Sequence, residues 1–566
     1  MQVVDGVSKT MTARDERLAA EAGTSAAGRR RWLAVAGWLA GTLIGLAVYL
    51  RLAETRAVNS DGASQALQAW DILHGNLLLH GWVMADASIY TTEIPEYMLI
   101  ELVHGLGQGV VHIGAAITYT LAVLCAALLA KGQATGREAA IRVTLAAGIM
   151  LAPQLASGTN LLLSSPDHIG TSVPVMLAWL LLDRARPRWW VPVLISVLLA
   201  WTMIADEVVL VMGVLPLIAV CAVRLARALP SRWRGGAWHT VSGWSALVRE
   251  QWYPLSLAAG AAAAGVVGLV VPPLIYRLGG FYVKPVASGL SPLHLIVKHN
   301  AALVGQGFLL LGGADFIGVP AGASKWFIVL HLVGVLLAVC AVLVTAWRFF
   351  RADFLSQVLL AAIVINVVAY LLGTHVTDIA NTREMAPVLP FAAALTGRQL
   401  ARFLTWRDLR GRITISLLAV ALAGYVAGLG LELTTSAVPP QQAQLTTWLE
   451  KHPLGTGLSG YWESNVVTLT SGGRVAIRVV HASGDHMSHY EANNYNVAWY
   501  DPATARANFV AFGPALAGYP GFTDEQAAIA TFGKPARTYH VGDYTIFWWP
   551  KNLLATLPEG NAPPPP

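Results

Sequence analysis

Acidic side chains are scarce in this chain, 32 Asp and Glu in 566 residues, and they gather in a few places. Beyond Glu54, the segment 52–107 holds Asp61, Asp71, Asp86, Glu93, Glu96 and Glu101. Carboxylates accept protons and ligate hard cations, so such a group has chemical potential wherever it is held together. Asp61 opens the series in Asn59-Ser60-Asp61-Gly62-Ala63, where Ser60 or Asp61 could equally serve as a helix cap. Glu93 sits among aromatics in Tyr90-Thr91-Thr92-Glu93-Ile94-Pro95-Glu96-Tyr97. A second acidic pair is Asp206-Glu207. Asp167 and His168, in Ser164-Ser165-Pro166-Asp167-His168, have metal-capable side chains, as do His294, His299 and His375. Their spacing matches no zinc signature, and satisfied or exposed polar residues account for them equally. Fixed cations that could meet an anion are Arg383, in Thr382-Arg383-Glu384, and Arg277, Lys284 and Lys298. An ion pair of Arg383 with Glu384 or Asp378, and snorkelling of the other three toward lipid headgroups, are the structural alternatives.

The elements that carry these residues are set by composition. The chain is 55% hydrophobic and 12% charged, with a mean hydropathy of +0.54. A soluble domain has about 25% charged residues. Apolar runs long enough for a hydrocarbon core of about 30 Å recur, and they predict about eleven spanning helices. These run over 32–51, 108–130, 142–160, 169–182, 189–205, 208–223, 252–276, 326–347, 355–374, 385–401 and 413–433. With the N-terminus inside, the inner loops 131–141, 183–188, 224–250, 348–354 and 402–412 all carry Lys or Arg, as orientation by positive charge requires. The net charge of +6 therefore reflects partnership with a lipid bilayer, and no nucleic-acid partner is expected. Cys125, Cys221 and Cys340 fall in apolar runs, which predicts neither a disulfide framework nor a cysteine metal site.

Residues 1–31 read as a disordered cytoplasmic tail ending in Arg29-Arg30-Arg31, and 32–433 as the membrane domain. The first outer loop, 52–107, predicts an amphipathic helix over Gly62–Gly75 lying on the membrane surface, then a second helix starting at Pro95. The short fifth and sixth spans draw Asp206-Glu207 below the headgroups, where adjacent acids need water, a cation or a basic partner. A water-filled outward cavity is expected there. Residues 278–325 form a Gly-rich outer segment with an amphipathic centre near Leu293–Leu311.

Residues 434–557 predict a small extracytoplasmic α/β domain, and 558–566 a Pro-rich tail. Helices are expected at Gln441–Lys451 and Thr523–Phe532. Strands are expected at Val466–Thr470, Arg474–Val480 and Asn508–Phe512, with a hairpin of Arg537–His540 and Tyr544–Trp549 turning at Val541-Gly542-Asp543. Tyr461-Trp462, Trp499-Tyr500 and Trp548-Trp549 serve either as core or as stacking platforms for sugar rings.

A first helix, an outer loop opening with Asp61 before a juxtamembrane helix, about ten further spans and an extracytoplasmic C-terminal domain resemble the GT-C-fold glycosyltransferases. These include protein mannosyltransferases, aminoarabinose transferases and actinobacterial arabinosyltransferases. The resemblance implies an α-helical polytopic membrane fold and an enzyme of the cell membrane. Such an enzyme moves a sugar from a polyprenyl-phosphate donor to a cell-wall glycan, lipid or protein acceptor on the outer face. It implies that Asp61 acts as general base or metal ligand. A DxD pair typical of the family is absent from the second outer loop.

Inverting transfer needs a carboxylate to take the acceptor's proton and a donor or cation to hold the leaving phosphate. Asp61 is the expected base, with Glu93 as second choice, and Arg383 the expected phosphate clamp, ahead of Arg277, Lys284 and Lys298. Asp206, Glu207, Asp167 and His168 are expected cavity residues. No cofactor is required, and a divalent ion, if bound, would be Mg²⁺ or Mn²⁺ on Asp61, Asp167 and Asp206. A transporter or lipid flippase with an outward polar cavity, using Asp206-Glu207 as an ion site, is the competing class. A non-catalytic assembly or sensor protein is a third.

Overall fold

A computed structural model describes residues 32–153, 157–164, 168–233, 245, 248–285, 289–317, 323–404, 409–489, 494–515, 520–560 and 563. The chain divides into two compact units, residues 1–49 and 50–566. The described part of the first is helical, and this helix, Trp32–Ala53, runs on into the second. Among the described residues seven helices are long and apolar enough to cross a membrane: Trp32–Ala53, Gly109–Lys131, Leu210–Ala228, Trp252–Arg277, Lys325–Trp347, Phe354–Leu372 and Leu409–Glu432. Four shorter helices lie at the other expected positions: Gly136–Met150, His168–Arg184, Trp190–Ala205 and Val388–Leu400, of which Trp190–Ala205 is the shorter apolar one. The expected third span, 142–160, is thus displaced. Its helix begins at Gly136 and ends at Met150, and a separate short helix, Ser157–Leu162, follows.

The basic loops converge on one end of the bundle. Arg398 donates to Asp183 and Asp353, each at 2.9 Å, and to the Leu129 carbonyl at 2.8 Å. Arg224 donates to Gln357 and Arg227 to the Phe350 carbonyl. Gln399 donates to Ser356 and itself accepts from Arg402. Gln133 donates to the Asp183 carbonyl, so residues at all five expected inner loops are linked. At the opposite end, the Ile89 amide donates to the Ala205 carbonyl, Ser291 to Leu372 and Lys284 to Met84. Leu336, Leu343, Leu417 and Val420 stay exposed along their helices, as lipid-facing side chains do.

The first loop is more buried than an interfacial helix would be. In the Ser60–Leu73 helix Ala63, Ala66, Ala69, Ser64 and Gln68 are all buried, because the C-terminal helix Tyr461–Thr470 packs across it. That second helix corrects the strand expected at Val466–Thr470. Val-Val-Thr carries a strand bias worth only a fraction of a kcal/mol per residue. Burial of Val466, Val467 and Leu469, with Ser464 bonded to the Gly460 carbonyl, outweighs it.

The C-terminal sheet runs in the order 477–479, 457–459, 509–512, 544–548, 537–541, parallel among the first three strands and antiparallel beyond. The expected hairpin turns at Gly542-Asp543, with Gly542 at φ +57°. Strand Gly457–Ser459 went unread because it is short and glycine-led. A Cβ at Gly457 would stand 2.1 Å from the Phe509 ring, so close packing demands glycine there. A second sheet of three short strands joins Trp82–Met84 to Tyr282–Val283 and Tyr495–Asn496. It stitches the first loop, the 278–325 segment and the C-terminal region together at the acidic end.

Candidate active site

Asp61 is not a helix cap. The cap of the Ser60–Leu73 helix is Asn59, whose Oδ1 accepts from the Gly62 amide at 2.9 Å. Asp61 lies in the first turn, where a negative charge meets the positive end of the helix dipole. Its carboxylate is 26% exposed. The Tyr461 hydroxyl donates to Oδ1 at 2.5 Å and in turn accepts from Asn494 Nδ2 at 2.8 Å. Burial first, and then the Asp61 charge, hold the Tyr461 phenol well above its usual range, so it remains a neutral donor. Asn465, one turn further along the same helix, donates to the Ser60 hydroxyl at 3.2 Å. Two C-terminal residues thus fix the Ser60–Asp61 turn.

Arg383 sits in the 3₁₀ turn Ala380–Met385, and its side chain is 32% exposed. Its guanidinium lies 3.9 Å from Asp61 Oδ2 and 3.9 Å from Asp86 Oδ2, between two carboxylates of the first loop. The expected competitor Glu384 is taken by His375, Nε2 to Oε2 at 2.8 Å. That hydrogen bond raises the His375 pKa, burial works against it, and Asp86 adds to the rise.

Asp86 also lines a cavity of ≈ 260 Å³, with His168, Asp206, Glu207, Asn366, Tyr370, His375 and Glu384. The buried Asp206 has the basic partner it requires. His168 Nδ1 lies 2.8 Å from Oδ2, the Thr171 hydroxyl donates to the same oxygen, and the Val208 amide donates to Oδ1. Glu207, beside it, is exposed.

The remaining sequence candidates lie elsewhere. Glu93 is buried in the first turn of the Glu93–His104 helix, and a Cβ on Gly170 would lie 2.0 Å from its Oε1. Burial raises its pKa well above the carboxylate range, although the Thr92 hydroxyl donates to it. A carboxyl that keeps its proton is a poor base, which speaks against Glu93 in that role. Arg277 ends the Trp252–Arg277 helix and is exposed, and Lys298 is exposed in the turn Ile296–Asn300. Lys284 lies over the Tyr495 ring, 5.8 Å from its centroid. Asp167 is outside the described residues.

Sequence reasoning passed over Tyr461, Asn494, Asn366 and Tyr370. The pair Tyr461-Trp462 stood out only as an aromatic pair, and nothing local links it to Asp61.

Among the described residues no group of three or more His, Cys, Asp or Glu side chains could hold a metal ion. Asp61 meets a phenol and a guanidinium, and Asp206 an imidazole, a hydroxyl and an amide. Asp206, with its three donors, offers no open oxygen to Mg²⁺ or Mn²⁺.

No protein-family model matches the sequence, and no curated protein matches it. The chain is similar to three solved structures. One is an oligosaccharyltransferase from Archaeoglobus fulgidus in complex with Zn and sulfate (14% identity, TM-score 0.46, covering 83% of this chain and 67% of that one). Another is the oligosaccharyltransferase AglB from Archaeoglobus fulgidus with an inhibitory peptide and a dolichol-phosphate (14%, 0.44, 85% and 70%). The third is apo ArnT from Cupriavidus metallidurans (12%, 0.48, 91% and 98%).

Proposed function

We propose that the chain is a membrane glycosyltransferase that moves a sugar from a polyprenyl-phosphate donor to a cell-envelope acceptor at the outer face. The observation that carries this reading is the approach of Arg383 to Asp61, 3.9 Å apart, with Arg383 also 3.9 Å from Asp86, which lines a polar cavity. A carboxylate for the acceptor's proton and a cation for the leaving phosphate are the two groups the reaction needs.

In this reading the acceptor hydroxyl loses its proton to Asp61 as its oxygen forms a bond to the sugar's anomeric carbon. The bond from that carbon to the phosphate oxygen breaks, and the electron pair leaves with the polyprenyl phosphate. Arg383 offsets the charge that grows on the phosphate. Tyr461 holds Asp61 in place, and Asp86 and Asp61 together hold Arg383. The convergence of the basic loops on the far end supports an outward-facing site.

Purified protein in liposomes, given radiolabelled polyprenyl-phosphate sugars and a cell-envelope extract, should move label from the lipid to an acceptor. Absence of any transfer across donors bearing hexoses and pentoses would rule this reading out.

A further inference from the structure

The cavity beside Arg383 has a chemistry of its own. Its wall on the Phe354–Leu372 helix carries Asn366 and Tyr370, one turn apart and 3% and 2% exposed. Asn366 donates through Nδ2 to the Glu384 carbonyl at 3.1 Å. Among the described residues its buried Oδ1 has no protein partner, and neither has the buried Tyr370 hydroxyl. Buried polar atoms are almost always hydrogen-bonded, so a pair of orphans on one cavity wall points to a ligand or the water it displaces.

The carboxylates around them are mostly partnered. Asp206 meets His168 at 2.8 Å, Glu384 meets His375 at 2.8 Å, and Asp86 meets Arg383 at 3.9 Å. Glu207 is the further lining carboxylate, exposed to solvent. The lining residues include four carboxylates and no lysine or arginine, so the wall disfavours a carboxylate-bearing ligand. Neutral amide and phenol groups suit hydroxyls instead, since Asn Oδ1 accepts and a phenol both donates and accepts. The volume of ≈ 260 Å³ suits one small ring.

We propose that this cavity is the subsite for the donor's glycosyl unit, that Asn366 and Tyr370 bind its hydroxyls, and that the unit is an uncharged monosaccharide. This rests on the glycosyltransferase reading and narrows it to a substrate class. It separates the site into two parts, with Arg383 reading the phosphate and the Phe354–Leu372 helix reading the sugar.

Binding to the full-length protein in detergent tests it, with four probes: bare polyprenyl phosphate and its mannosyl, arabinosyl and glucuronosyl derivatives. At least one neutral derivative should bind about ten-fold or more tightly than the bare lipid, and the glucuronosyl derivative no tighter than it. Tyr370→Phe should weaken the favoured neutral derivative about five-fold, the effect of one lost hydrogen bond, with bare-lipid binding unchanged. Asn366→Ala should act the same way. Equal binding of bare and both neutral lipids, or preference for the glucuronosyl lipid, would overturn the subsite. So would a Tyr370→Phe loss that falls equally on bare lipid. In each of those cases bare-lipid binding that is lost in Arg383→Ala leaves the glycosyltransferase reading standing. If no polyprenyl phosphate binds at all, both fail.

Discussion

The Tyr461 hydroxyl donates to Asp61 Oδ1 at 2.5 Å, across 400 positions of sequence. The acid of the first loop is therefore oriented by a helix of the C-terminal region, and the two regions build one constellation. Tyr461→Phe keeps the ring and removes only this hydrogen bond. A donor to the charged form of a carboxylate favours that form. The acid limb of the kcat/KM profile should therefore move to higher pH, with kcat falling about ten-fold and the thermal midpoint nearly unchanged. An unshifted limb with unchanged kcat would reduce Tyr461 to a packing residue.

Arg383→Ala should lower kcat/KM for the lipid donor by about 10²-fold or more, the scale of losing a preorganised charge partner. Arg383→Lys should recover part of it, since a point charge remains but the planar fork is gone. Steady-state kinetics with varied donor and saturating acceptor checks this. Equal losses for donor and acceptor would show that Arg383 instead holds Asp61 and Asp86 in place.

Glu101 predicts an alkaline weakness. Both of its carboxyl oxygens are buried without a protein partner among the described residues, and burial raises its pKa to about 8. A carboxyl whose folded pKa is raised contributes stability that is complete below its unfolded value of about 4.3. That contribution is lost as pH rises through about 8. Glu101→Gln should therefore raise the melting temperature at pH 9 and leave it nearly unchanged at pH 4. A variant whose melting temperature tracks the parent at both pH values would remove Glu101 from the account.

Orientation is open to direct labelling. Asp485 is almost fully exposed in the C-terminal region, and Arg188 is exposed in a basic loop. A membrane-impermeant thiol reagent added to intact cells should modify Asp485→Cys and spare Arg188→Cys. The reverse pattern would turn the site toward the cytoplasm.

The membrane helices were legible because apolar length and clustered arginines leave a strong linear signal. Arg398 bridging Asp183 and Asp353 is the folded counterpart of that pattern. Their ends were less legible: Pro153, three residues beyond Met150, is the local stop signal that ends a helix expected to reach residue 160. Asp61 and Arg383 could be picked out as single residues, since each is a charged group at a helix mouth. The roles assigned to them imply a shared cavity, but the distance between them depends on how the 3₁₀ turn Ala380–Met385 packs. Tyr461 was hidden more deeply. Val466-Val467-Thr468 made its helix look like a strand, and a strand would have turned Tyr461 and Asn465 away from a common face. The orphaned Asn366 and Tyr370 look in sequence like any two polar residues of a span.

The central claim is that Asp61 takes the acceptor's proton, and Asp61→Asn tests it most directly. The amide is nearly isosteric, and the helix keeps its Asn59 cap, so folding should be spared. What the amide lacks is a basic oxygen. Transfer of radiolabelled sugar from polyprenyl phosphate should fall by about 10²–10⁴-fold, while bare-lipid binding and melting temperature stay near those of the parent. Transfer within about two-fold of the parent, in a variant that folds and binds normally, would contradict the account and move the base away from Asp61.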